Sequence, residues 1–155
     1  MTPALLDTNV LIALLDPSHT FHALVARWFR DNANGGWATC PITQNGFTRI
    51  VSHPSYPQPI GVAEALQIMR QATRHSTHRF WPDDITLTDD IIFDDDHVLS
   101  SNQTTDTYLL GLAIHRGGYF VTLDRRIDVA TVRGASSANL LVLNPRAVQA
   151  TRPAP

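Results

Sequence analysis

The chain opens on an apolar run that stops at a charge: Ala4, Leu5 and Leu6 lead into Asp7, Thr8 and Asn9, and a second apolar run begins at Val10. A short apolar stretch meeting a polar turn predicts a buried strand over residues 3–6 that ends at Asp7. Residues 10–15 then read as a helix capped by Asp7 or Asn9, and Pro17 and Ser18 break it. Phe21, Leu24, Val25 and Trp28 recur at helical spacing until Asn34-Gly35-Gly36 stops that helix. A short strand is predicted over 37–39. Pro41 suits the first turn of a further helix, with Phe47, Ile50 and Val51 on one face and an end near Pro54.

Residues 52–59, SHPSYPQP, form a turn-rich linker inside the domain. From 61 to 75 the pattern is an amphipathic helix with Val62, Ala65, Leu66, Met69, Ala72 and Thr73 in one stripe. Arg70 and Arg74 lie four residues apart on another face. A strand is expected over 79–81, and the acidic stretch 83–96 reads as short helical turns and loops. Thr104 or Thr105 is the predicted cap of a helix through Leu109, Leu112 and Ala113 that ends at Gly117-Gly118. Strands over 119–123 and 140–143 complete the pattern. Short apolar strands alternating with helices indicate an α/β fold with a mostly parallel sheet. The expected organisation is one domain over 1–145 and a disordered tail over 146–155.

Composition narrows the class. At 155 residues, 43% apolar and 17% charged, the chain suits one globular domain with a substantial core. Its apolar stretches fall well short of the ~20 residues a membrane helix needs, and no basic leader precedes the first of them, so neither a membrane span nor a signal peptide is expected. The lone Cys40 leaves no internal disulfide and fits a reducing cytoplasm, where it reads as a small buried hydrophobe. The net charge of −2 argues against a strongly basic nucleic-acid surface, yet all 12 basic residues are arginine, which grips phosphate bidentately.

The candidate chemistry lies in three aspartates. Asp7, Asp106 and Asp124 each stand where an apolar run meets a polar turn. In an open parallel sheet, ligands bind beyond the carboxyl ends of the strands, so the three acids are expected to face one crevice. Converging carboxylates repel one another unless a hard cation neutralises them, and Mg²⁺ with oxygen ligands suits phosphodiester hydrolysis. Each acid also has a plainer reading: a helix cap for Asp7, the positive end of a helix for Asp106, a strand exit for Asp124. The histidines lack zinc-ligand spacing, and Asp94, Asp95 and Asp96 read as a solvated loop. No phosphate-binding glycine loop or nucleophile elbow occurs. A phosphoacceptor receiver domain would need a lysine, and the chain has none.

The segments LLDTNVLIALL, PIT-NGFTRIVSHP, TTDTYLLGLA and YFVTLDRRI follow the order found in the PIN-domain family. In detail the chain resembles the VapC-type toxin ribonucleases of toxin–antitoxin pairs, over roughly 5–143. The resemblance implies a three-layer α/β/α fold with a mostly parallel, four- to five-stranded central sheet. It implies a Mg²⁺- or Mn²⁺-dependent endoribonuclease that cuts structured RNA such as tRNA or rRNA, a homodimer, and a small cognate antitoxin. On that reading Asp7 and Asp106 are the main metal ligands, Asp124 completes the cluster directly or through water, and Thr8, Asn9 and Thr122 support the carboxylates. Family members typically carry a glutamate where this chain has Gln44, one negative charge fewer. That departure keeps open a second reading, a catalytically impaired module that binds RNA or a protein partner. Glu64 is no obvious substitute for the missing acid, and Asp128 is a candidate one. Arg125 and Arg126 are candidate RNA contacts or a solvated turn.

Overall fold

The computed structural model describes residues 1–97 and 100–145; the expected tail over 146–155 lies outside them. Five short strands, β1 (Ala4–Leu6), β2 (Trp37–Thr39), β3 (His78–Phe80), β4 (Tyr119–Thr122) and β5 (Leu140–Val142), form one sheet in the order β3-β2-β1-β4-β5. All four pairings are parallel, with Leu6 opposite Val121 and Leu5 opposite Ala38. The helices are α1 (Thr8–Leu15), α2 (His22–Asn32), α3 (Pro41–Val51), α4 (Val62–Ala72) and α5 (Thr104–His115). Among the described residues no helix is long and apolar enough to cross a membrane.

The alternation of side chains along a strand sorts the core into two layers. Ala4, Leu6, Trp37 and Val121 face one core with Val10, Leu11, Val25, Phe47, Val51 and Met69 from α1 to α4. Leu5, Ala38 and Phe120 face the other, with Leu109, Leu110 and Leu112 from α5. The architecture is the three-layer α/β/α sandwich implied by the resemblance. Full burial of each large apolar side chain in these layers contributes about 1.5–3 kcal/mol. β1 and β4 are therefore central and covered on both faces, and the residues that leave their carboxyl ends emerge in the middle of the molecule.

Some boundaries follow the expectation and others depart from it, each for a physical reason. α1 starts at Thr8 because the Asp7 side chain caps it, accepting from the Thr8 N–H at 2.7 Å. α3 starts at Pro41, with Cys40 and Thr43 closing a capping box. Neither Thr104 nor Thr105 caps α5; a 3-10 turn, Ser101–Gln103, runs straight into the helix and leaves Thr104 inside it. β3 sits one residue earlier than expected, because the buried Trp81 follows it and donates its backbone N–H to Thr39 O at 2.9 Å. Of the α4 stripe only Ala65 and Met69 are buried, and Val62 and Leu66 stay exposed. α5 is buried over 107–113 instead of on one face. The acidic stretch covers its outer side, with the Phe93 ring lying where a Cβ on Gly111 would stand. Gly36 (φ +95°), directly before β2, and Gly117 (φ +68°), two residues before β4, adopt backbone conformations that other residues rarely hold.

α3 approaches the start of α1 closely. A Cβ on Gly46 would meet Thr8 Oγ1 at 2.6 Å and Thr8 Cγ2 at 2.8 Å. Helix propensity alone would make Gly46→Ala stabilising by about 1 kcal/mol, whereas overpacking costs about 1–3 kcal/mol. The contact is with a β-branched side chain on a capped helix, so overpacking wins. Gly46→Ala is expected to lower stability by about 1 kcal/mol in urea unfolding. Adding Thr8→Ala should return the protein to wild-type stability or above; a neutral single variant would show that the two helices part freely.

Candidate active site

Three elements bring the three aspartates to one end of the sheet. Asp7 leaves β1, Asp124 lies two residues beyond β4, and Asp106 stands in the first turn of α5. The parallel pairing of β1 with β4 continues past both strands, with the Asp7 N–H donating to Val121 O at 2.9 Å. Asp7 and Thr122 thus become neighbours across 115 residues of sequence, and the Thr122 hydroxyl donates to Asp7 Oδ2 at 2.6 Å. The other oxygen, Oδ1, accepts from the Thr8 backbone N–H.

Thr122 Oγ1 in turn accepts from the Asp124 backbone N–H at 3.0 Å and from Asn9 Nδ2 at 3.3 Å. Asn9 Oδ1 accepts from the Leu123 N–H at 3.2 Å. One hydroxyl therefore connects the exits of the two central strands. The Thr8 side chain has a different position, packed against Gly46, so its contribution to Asp7 comes from its backbone.

The electrostatics are those of acids placed close together. Asp7 is 6% exposed. Burial raises its pKa above the ordinary carboxylate range and Asp124 adds to the rise, against the opposing hydrogen bonds from Thr122, Thr8 and Asn9. Asp106 is pushed up to about 7, first by burial and then by the charges of Asp7 and Asp124. No described residue donates a hydrogen bond to its carboxylate. Asp124 moves the other way, lowered chiefly by its hydrogen bonds to Arg126.

That last pair changes the picture expected from sequence. Arg126 grips Asp124 with two bonds, Nε to Oδ1 at 3.0 Å and an Nη to Oδ2 at 2.7 Å, and its backbone N–H also reaches Oδ1 at 2.9 Å. Among the described residues no three His, Cys, Asp or Glu side chains stand close enough together to enclose an ion. The oxygen-only donors of Asp7 and Asp106, crowded by their own repulsion, fit a hard divalent cation. Asp124 is already neutralised by a guanidinium.

The remaining candidates sort plainly. The Gln44 amide donates to Thr39 Oγ1 at 2.9 Å, and Thr39 Oγ1 is also 2.9 Å from His78 Nε2; it bonds to none of the three aspartates. Asp128 caps its own 3-10 turn by accepting from the Ala130 N–H at 2.9 Å. Glu64 is exposed in the first turn of α4. Asp94 pairs with Arg133 at 3.2 Å and His97 at 3.3 Å. Arg125 is exposed beside the site. Burial pushes the Cys40 thiol up to about 11, which leaves it protonated and poorly nucleophilic.

Sequence reasoning missed two residues near Asp7. Asp83, after β3, has one buried carboxylate oxygen, Oδ1, without a hydrogen-bond partner among the described residues, and it shares a cavity with Asp7. Arg49, on α3, lines the same cavity. Nothing in the local pattern marks either one: Arg49 lies in a helix whose periodicity speaks only for the core, and Asp83 is one of several acids in the stretch read as turns and loops.

Comparison with known proteins agrees with this architecture. Residues 4–132 match the PIN domain family model. The chain is 44% identical over 140 residues to "Ribonuclease VapC44" of Mycobacterium tuberculosis (strain ATCC 25618 / H37Rv), covering 90% of this chain and 99% of that protein. "Ribonuclease VapC38" of the same strain is 40% identical over 142 residues, covering 90% and 99%. "Ribonuclease VapC39" is 41% identical over 140 residues, covering 89% and 96%.

The raised pKa of Asp106 has a consequence for stability. Unfolded, this carboxylate titrates near ~3.9; folded, it holds its proton up to about 7. Between those values the folded chain binds more protons than the unfolded one, so metal-free stability falls as pH rises through the window. Asp106→Asn removes the charge. Without divalent ions its melting temperature should exceed wild type by about 3 °C or more above about pH 8, and by little near about pH 4. Thermal melts in a chelator check this; a gap that does not widen with pH contradicts the placement of Asp106 among like charges.

Proposed function

The chain belongs to the PIN-domain family, and on that premise we propose that it is a metal-dependent endoribonuclease acting as the toxin of a toxin–antitoxin pair. The observation that carries the proposal is that Asp106, in the first turn of α5, lies in the repulsive field of Asp7 at the exit of β1, in a chain so similar to proteins named ribonucleases. Asp7 and Asp106 would hold Mg²⁺ or Mn²⁺, with Asp124 contributing directly or through a bound water. Bound there, the cation would activate water for in-line attack on a phosphodiester and stabilise the leaving oxygen, giving a 5′-phosphate and a 3′-hydroxyl. The substrate proposed is structured RNA, tRNA or rRNA, and the partners proposed are a small antitoxin and a second copy of the chain in the cytoplasm.

The protein's own residues do the positioning. Thr122 and the Thr8 N–H fix both oxygens of Asp7 while leaving each a further lone pair. Asn9 and the Asp124 N–H hold Thr122 in turn, so the hydroxyl proton points at Asp7. Gln44 brings no charge to the site, which leaves Asp7 and Asp106 as the principal anionic ligands.

Purified protein is expected to cut RNA when Mg²⁺ or Mn²⁺ is added. Asp7→Asn and Asp106→Asn should each lower the rate by at least about a hundredfold. RNA left uncut at every metal concentration would overturn the enzymatic reading in favour of a binding module. A separate expectation concerns Arg126, which pairs with Asp124. Arg126→Ala should tighten Mn²⁺ binding severalfold in calorimetric titration, because a cation no longer competes with a guanidinium; an unchanged affinity would show that Asp124 lies outside the metal's reach.

A further inference from the structure

A cavity of about 470 Å³ opens beside Asp7, within the ~300–1,000 Å³ of typical ligand sites. One wall is α3, whose Asn45 and Arg49 stand one turn apart and are both exposed; Thr105, at the start of α5, and Asp83 line it as well. The Arg49 side chain makes no hydrogen bond or ion pair with any described residue, whereas Arg116, Arg126 and Arg133 are each committed to an aspartate. It is also shared between two cavities, because a second one of about 230 Å³ lies on its other side, lined by His53, Ser55 and Tyr56.

The charges in this cavity are ordered. Asp7 and Asp83 are carboxylates that repel a phosphate, and among the described residues Arg49 is the one cationic side chain lining the space. A strand lying along α3 therefore gains most when a phosphate seats at Arg49, with a nucleoside in the cavity on either side. Asn45, one turn nearer the start of α3, can donate its amide to the same strand.

We propose that Arg49 is a substrate-positioning residue that binds a backbone phosphate next to the scissile one and aligns the RNA along α3 towards Asp7. The proposal rests on the ribonuclease reading above. It also moves the RNA contact expected of Arg126, in the loop after β4, to helix α3, since Arg126 is held by Asp124.

The test is fluorescence anisotropy with short labelled oligo(U) and oligo(A), using the full chain carrying Asp106→Asn so that the RNA stays intact. Arg49→Ala is expected to weaken binding of both oligonucleotides by on the order of tenfold and to lower the slope of log Kd against log salt by about 0.7, the signature of one lost phosphate contact on a single strand. Arg49→Lys should keep the slope. Arg74→Ala, an exposed arginine beyond the end of α4, should change neither quantity. If Arg49→Ala leaves affinity and slope at the parent values while the wild-type protein still cuts RNA, this proposal falls and the ribonuclease reading stands. If the parent binds neither oligonucleotide and the wild type cuts no RNA, the ribonuclease reading falls and takes the proposal with it.

Discussion

The hydrogen bond from Thr122 to Asp7 is the interaction on which the site depends. It spans 115 residues of sequence and forms only when β1 and β4 pair in register. Asp7 is almost fully buried, and a buried carboxylate is costly unless its oxygens are satisfied. Thr122 and the Thr8 N–H supply one donor to each oxygen. The same contact that makes the buried charge tolerable thus also sets its direction. A one-residue slip of β4 against β1 would move Thr122 to the opposite face and leave Asp7 without its side-chain donor.

Around that contact the fold concentrates negative charge where packing leaves no room to disperse it. α5 is buried over two turns, and its first turn delivers Asp106 into the field of Asp7 and Asp124. Each acid has its own means of relief: Asp7 has hydrogen bonds, Asp124 has Arg126, and Asp106 has a raised pKa. Asp106 is therefore the group with the most to gain from an added cation. A structure built only for stability would not place a carboxylate there, directly before the stretch 107–113 that α5 buries.

Much of this was legible in the sequence, because the informative signals were local. The run at 4–6 and the break at Asp7 specify a strand and its exit, and the alternation that sends Leu5 to one core and Leu6 to the other follows from the pleat. The three aspartates stood out because each lies at such a junction. What escaped was decided by tertiary partners. The α4 stripe looked uniformly buried, yet Val62 and Leu66 find no element above them. The acidic stretch 83–96 read as turns and loops, yet its own Phe93 is buried against α5 and stacks with Tyr108. Periodicity cannot see either outcome, since both depend on which distant segment covers a face.

The same limit applies to the arginines, and it bears on how a chain of net charge −2 would hold RNA. Arg125 and Arg126 attracted attention by lying beside Asp124, but proximity to a carboxylate is what commits Arg126 to an intramolecular pair. A guanidinium already bonded bidentately to Asp124 must give up that pair before it can grip phosphate, so it is a poor first contact. Arg49 has no such side-chain partner among the described residues, and it lines the cavity beside Asp7 from α3. Useful phosphate contacts in an acidic site are therefore to be sought one helix away from the carboxylates, where attraction for the backbone is not cancelled by a nearer partner. Net charge then matters less than which arginines the fold leaves unpaired.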